Sequence, residues 1–126
     1  MLGLGCDIVS VRRIAEAIDR HGDRFLQRCF RPGEIDLARR RGGAGAATLA
    51  ARWAAKEAFV KALGAAAPGV PYRDVEVVGG DVAPVLLLHG AAEKACAAAG
   101  AGRALLSLSH EREHALAVVV LASAGQ

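Results

Sequence analysis

Sixteen residues from Thr48 to Leu63 pass without a glycine or a proline, and apolar side chains recur on nearly every side of the helix they would form. At 100° per residue, Leu49, Trp53, Phe59, Val60 and Leu63 make a bulky arc. Ala51, Ala54, Ala55, Ala58 and Ala62 make a second arc of small side chains. A helix with so little polar surface is buried on most sides, so it must run through the middle of the fold. It nevertheless carries Arg52, Lys56, Glu57 and Lys61. A charge on a buried helix is costly unless it is paired or bound to a counter-ion. A narrow charged stripe there therefore marks a candidate site. Glu57 and Lys61 stand at i, i+4 in the favourable order, which also fits an ordinary surface salt bridge worth a few tenths of a kcal/mol.

The rest of the chain supplies the layers around this helix. Leu2, Leu4, Cys6 and Ile8 alternate with Gly3, Gly5 and Asp7 as in a strand. Ser10 is placed to cap a helix that presents Val11, Ile14 and Ile18 on one face and stops at Gly22. A second helix is expected over 23–30 and a third over 34–41, separated by a break at Arg31-Pro32-Gly33. Gly42-Gly43-Ala44-Gly45 reads as a flexible joint too short to divide domains. After Gly64 come a loop over 65–70, strands at 75–78 and 85–88 around Gly79-Gly80-Asp81, and an alanine-rich helix over 90–99. A final hairpin pairs 105–109 with 115–121 around His110-Glu111-Arg112-Glu113-His114. With 126 residues the expectation is one domain over the whole chain. Its class is α+β, a mainly antiparallel sheet packed against a long central helix. Much of the 53% hydrophobic content is alanine and aromatics are only 4%. So thin a core favours added stability from oligomerisation.

Asp7 interrupts an apolar strand, with Gly3 and Gly5 on its own face leaving open space beside the carboxylate. Judged alone it reads equally as a capping aspartate ahead of Ser10. Taken with Glu57, it would suit a hard cation held through oxygen, as magnesium is held by one or two carboxylates together with substrate phosphates. His110 ends a strand, where a histidine is more often a structural hydrogen-bonder. His114 reads as a turn residue.

The net charge of +3 is modest, but the arginines gather early: Arg12, Arg13, Arg20, Arg24, Arg28 and Arg31, then 39–41. A solvated face explains such a run, and so does a ridge that docks an acidic helix. A basic nucleic-acid-binding module is the non-enzyme alternative. The chain shows neither a stacking platform nor a recognition motif for that role. Three widely spaced cysteines suggest neither zinc nor disulfides and fit a reducing, cytoplasmic setting. The first residues lack a signal-peptide pattern, and no apolar run reaches the ~20 residues of a membrane helix.

Three blocks, in order and at matching spacing, resemble one family. Gly3-Leu4-Gly5-Cys6-Asp7-Ile8-Val9, followed by Arg13-Ile14, Phe25 and Arg28, is similar to the start of the holo-[acyl-carrier-protein] synthases, the small phosphopantetheinyl transferases. The segment from Ala51 to Gly64 resembles their signature helix, and Leu106-Ser107-Leu108-Ser109-His110-Glu111 their C-terminal segment. The resemblance implies a homotrimer with sites between subunits. It also implies a magnesium-dependent reaction that moves the 4′-phosphopantetheine arm of coenzyme A onto a serine of apo acyl carrier protein and releases 3′,5′-ADP. On that likeness Asp7 and Glu57 match the metal ligands, Lys61 meets the coenzyme A phosphates, and Glu57 is the candidate base. Arg52, Gly64 and His110 fall toward the cofactor, and Arg13, Arg24, Phe25 and Arg28 toward the carrier. The carrier could equally serve polyketide or peptide synthesis instead of fatty-acid synthesis. A protein that binds coenzyme A without turnover is a further alternative. The sequence departs from the family at Gly64-Ala65-Ala66, where Gly-Thr-Gly is usual, and at Asp81-Val82-Ala83 before Pro84, where a glycine is usual.

Overall fold

The computed structural model describes residues 1–64, 69–80 and 82–125, so the departures at Ala65, Ala66 and Asp81 lie outside the described residues. Strand β1 (Gly3–Ser10) runs into helices α1 (Val11–His21), α2 (Asp23–Cys29) and α3 (Pro32–Arg40). A 3₁₀ turn (Gly42–Ala44) opens the central helix α4 (Gly45–Leu63). A second 3₁₀ turn (Tyr72–Asp74) precedes β2 (Val75–Val78) and β3 (Val85–Leu88). Helix α5 (Gly90–Ala98) and the hairpin of β4 (Arg103–His110) and β5 (His114–Ala122) complete the order. The strands form two antiparallel sheets, one in the order β1-β5-β4 and the other β2-β3. The α+β class holds, and what the sequence suggested as one sheet is built as two.

Helix α4 packs on β1 and β5, with α1, α3 and β2 around its other sides. Ala50, Ala51, Ala54, Ala55, Ala58 and Phe59 have no exposure at all, as a helix apolar nearly all round requires. Small side chains let the neighbouring elements approach closely. The closest approach is at β1: a Cβ added to Gly3 would lie 2.1 Å from the Ala62 carbonyl oxygen, and one added to Gly5 would lie 1.9 Å from that of Ala58. The open space that the sequence suggested beside Asp7 is therefore absent at the two glycines. The helix backbone fills it. The same contact turns the strand over, since the apolar alternates Leu4 and Ile8 face outward at 56% and 64% exposure while Gly5, Asp7 and Val9 face α4.

The charges of α4 diverge. Arg52 and Lys56 are fully buried. Lys56 Nζ donates to Glu34 Oε1 at 2.9 Å and to the Val75 carbonyl, and Glu34 Oε2 accepts from Val77 N–H at 3.1 Å. Burial lowers the Lys56 pKa and the Glu34 carboxylate works against that fall. This pair ties α3 and α4 to the second sheet, so Lys56 is structural and not part of a surface stripe. Arg52 donates to the Thr48 and Gly79 carbonyls at 3.4 and 3.2 Å.

Two expected joints are tighter than the sequence suggested. Pro32 and Gly33 belong to the first turn of α3 and not to the break before it, because proline lacks only an N–H that the first helical turn leaves unpaired. Glu34 accepts the Arg31 N–H at 2.9 Å and so caps that turn. The glycine run before α4 is not a free joint either. Gly45 is buried in the helix, and a Cβ there would lie 2.7 Å from the Ala38 carbonyl, so its role is to let α3 approach α4.

Candidate active site

The contact between β1 and α4 places Asp7 beside the outward side of the helix. Lys61 Nζ donates to Asp7 Oδ1 at 2.9 Å and to the Cys6 carbonyl at 3.1 Å. The Asp7 side chain is only 16% exposed, whereas that of Lys61 is 53% exposed. The i, i+4 partner Glu57 is half-buried and acts on Lys61 more weakly than Asp7 does. The Lys61 ammonium is held above its usual pKa, first by its hydrogen bond to Asp7 and then by the Asp7 charge; burial opposes the rise, and the Glu57 charge adds a lesser one.

A fourth member of the cluster comes from far along the chain. Tyr72, in the 3₁₀ turn before β2, has its phenol raised above its usual pKa by burial, then by a hydrogen bond to Glu57 and by the Glu57 and Asp7 charges. Lys61 and Tyr72 each feel both carboxylates, so Asp7 and Glu57 converge on one locality. Their donor atoms are oxygens alone, which is the chemistry of a hard cation such as Mg²⁺. Only at the β4–β5 turn, among the described residues, do three potential metal-binding side chains meet: Glu111, Glu113 and His114, all exposed. There Glu111 Oε1 already accepts from the Glu113 N–H at 3.1 Å and lies 3.0 Å from His114 Nδ1.

Four of the five aromatic residues form a row leading away from this cluster. Tyr72 meets Trp53 edge-on at 4.9 Å, Trp53 meets Phe25 at 5.8 Å, and Phe25 meets Phe30 at 5.9 Å. Phe25, Arg28, Cys29, Trp53, Pro71 and Tyr72 line a surface hollow of about 470 Å³. A neighbouring hollow is lined by His21, Arg24, Phe25 and Arg28. Arg24, Phe25 and Arg28 are thus brought together beside the row, Phe25 and Arg28 sharing a hollow with Tyr72, while Arg13 is exposed on α1 and lines neither hollow.

The residues expected at the cofactor lie apart. Arg52 stands five positions before Glu57, about 140° round the helix. Gly64 caps α4 with φ 62°, one turn past Lys61. His110 is exposed at the end of β4, and β5 lies between β4 and β1. Within one chain it is therefore roughly 10 Å across the sheet from β1. Tyr72 was not anticipated. The only signal for it was a lone tyrosine in a chain with few aromatics.

Comparison with known proteins places the chain in a family. The family model of the 4′-phosphopantetheinyl transferase superfamily matches residues 3–119. The holo-[acyl-carrier-protein] synthase of Halorhodospira halophila is 53% identical over 122 residues, spanning 94% of this chain and 95% of the relative. The crystal structure of the Neisseria meningitidis holo-[acyl-carrier-protein] synthase superposes with a TM-score of 0.82 at 34% identity, covering 98% of this chain and 99% of that one. The Helicobacter pylori enzyme, solved in complex with coenzyme A, gives 0.78 at 29% identity, covering 94% and 99%. The chain belongs to the 4′-phosphopantetheinyl transferase superfamily, among its holo-[acyl-carrier-protein] synthases.

Proposed function

We propose that this chain transfers the 4′-phosphopantetheine arm of coenzyme A to a serine of apo acyl carrier protein, releasing 3′,5′-ADP, and that the reaction takes place at the Asp7–Glu57–Lys61 cluster. The observation that carries this reading is the convergence of two partly buried carboxylates and one exposed ammonium where β1 meets α4. Asp7 and Glu57 would hold a Mg²⁺ ion, whose chemistry is to offset negative charge on the phosphate oxygens. The exposed Lys61 ammonium offsets further charge on the transferring phosphoryl group. Glu57 accepts the proton of the attacking serine hydroxyl. The phosphorus next to the pantetheine arm gains the serine oxygen and loses the oxygen of 3′,5′-ADP. Arg13, Arg24 and Arg28 steer the carrier's acidic helix, and Phe25 gives it an apolar contact. Gly64 and His110 belong to the coenzyme A side, and the buried Arg52 would act there only through the Gly79 carbonyl that it holds.

The outer face of the three-stranded sheet supports assembly. Leu4, Val120 and Leu105 form one row across it, and Ile8 and Leu116 lie side by side on another, with Leu4, Ile8, Leu105 and Leu116 all exposed. A contiguous apolar face of this kind is uncommon on a monomer. A homotrimer that buries it would bring neighbouring copies to β1, next to Asp7, and would let a residue such as His110 serve a partner's site. No described helix is long and apolar enough to cross a membrane. A cytoplasmic enzyme supplying carriers for fatty-acid synthesis fits the reading.

The test is transfer activity in Asp7→Asn and Glu57→Gln, with circular dichroism to verify folding. Each variant should fold and lose most activity, and EDTA should silence the wild type. Folded variants that keep full activity would remove the metal site from the reaction.

A further inference from the structure

Tyr72 is the member of the cluster to which no role has been given, and its position is fixed from several sides. It begins a 3₁₀ turn that follows Pro71 and leads directly into β2. The start of β2 is tied to the core, since Val75 accepts from Lys56 and Val77 donates to Glu34. The Tyr72 ring stands edge-on to Trp53, with centroids 4.9 Å apart and an interplanar angle of 81°. Trp53 precedes Glu57 by one helical turn, so the two lie one above the other on the same side of α4. A ring seated on Trp53 therefore lies on the side of the helix that carries Glu57, with its hydroxyl close enough for that carboxylate to act on it.

We propose that Tyr72 is a positioning residue: seated on Trp53, it donates its hydroxyl hydrogen to Glu57 and fixes the orientation in which that carboxylate meets the cation. The inference rests on the metal reading above and deepens it. A carboxylate has two oxygens and can rotate about its terminal bond. A hydrogen bond from a rigidly held phenol to one oxygen leaves the other aimed in one direction. Outer partners of this kind commonly affect metal affinity or activity by ~10–100-fold.

Tyr72→Phe keeps the ring on Trp53 and removes only the hydroxyl, so folding should be preserved. Mn²⁺ binding measured by calorimetry on the isolated protein should weaken about 10-fold, with the thermal midpoint unchanged. In the transfer assay the half-saturating metal concentration should rise by a similar factor. Tyr72→Leu should lower the thermal midpoint as well, because it also removes the ring contact. A folded Tyr72→Phe protein that binds Mn²⁺ as tightly as a binding wild type overturns the inference and leaves the metal reading standing. A wild type that binds no Mn²⁺ and turns over without a divalent ion overturns the metal reading, and the inference with it.

Discussion

Gly5→Ala perturbs the contact on which the site depends. The new Cβ would lie 1.9 Å from the Ala58 carbonyl oxygen, 2.7 Å from the Ala62 amide nitrogen and 2.9 Å from the Ala58 carbonyl carbon. All three are main-chain atoms of a rigid, buried helix, so no side chain can swing away. Ordinary contact begins at about 3.4 Å, and β1 must withdraw by about 1.5 Å to restore it. Asp7 is two residues further along the same face of β1 and moves with it. Overpacking a core costs ~1–3 kcal/mol, and a contact made wholly of backbone belongs at the upper end of that range. Misplacing a reacting group by about 1 Å costs on the order of 10²-fold in rate. The assay is transfer to an apo carrier at saturating coenzyme A, paired with a urea melt. Gly5→Ala should lose activity by about that factor and melt earlier, whereas Gly43→Ala, with nothing within 4 Å, should match the wild type. Adding Ala58→Gly should not rescue Gly5→Ala, because the clash is with the Ala58 carbonyl and not its methyl group. A Gly5→Ala protein with wild-type stability and rate would refute the claim that backbone contact between β1 and α4 sets the site.

Lys56→Met leaves Glu34 buried without its partner and should destabilise the fold by ~3–5 kcal/mol in a urea titration, while Lys56→Met with Glu34→Leu recovers much of that loss; equal stabilities for the single and double variants would contradict the structural role given to the pair. Arg28→Glu should raise KM for the carrier protein, leave KM for coenzyme A nearly unchanged and flatten the salt dependence of carrier binding. A rise in the KM for coenzyme A alone would put that arginine on the nucleotide side. Burial raises the pKa of both Cys29 and Cys96, with nearby Lys56 and Arg28 opposing the rise at Cys29. Groups with raised folded values add stability that is fully present below the unfolded thiol pKa of about 8.5 and is lost as pH climbs through the folded values. The urea midpoint should therefore fall above pH ~8.5, and less steeply in a Cys29→Ala, Cys96→Ala variant; an identical slope in both proteins would count against it.

Features whose partners lie nearby in sequence were legible before the fold was known. Helix α4 announced itself by its apolar arcs, and the i, i+4 spacing of Glu57 and Lys61 on it was plain from the sequence. What escaped was direction. A strand with period two has two faces, and its leucines suggest the inner one, but Gly3 and Gly5 face inward because only glycine allows contact with the helix main chain. A helix apolar on all sides likewise has no outer face in its sequence, so Arg52 and Lys56 could not be told from Glu57 and Lys61. Lys61 pairs with Asp7 across 54 positions, and Tyr72 reaches Glu57 from the turn before β2. Pairings of that kind depend on how the layers stack, and local periodicity carries no record of them.

The central claim is that this chain moves a phosphopantetheine group with the aid of a divalent ion held by Asp7 and Glu57. Intact-mass measurement of an apo acyl carrier protein, after incubation with this protein, coenzyme A and Mg²⁺, tests it most directly. The account predicts a gain of one phosphopantetheine per carrier with the wild type, no gain when the ion is chelated, and almost none with Asp7→Asn or Glu57→Gln. An unmodified carrier in the complete reaction, or a full gain without any divalent ion, would contradict it.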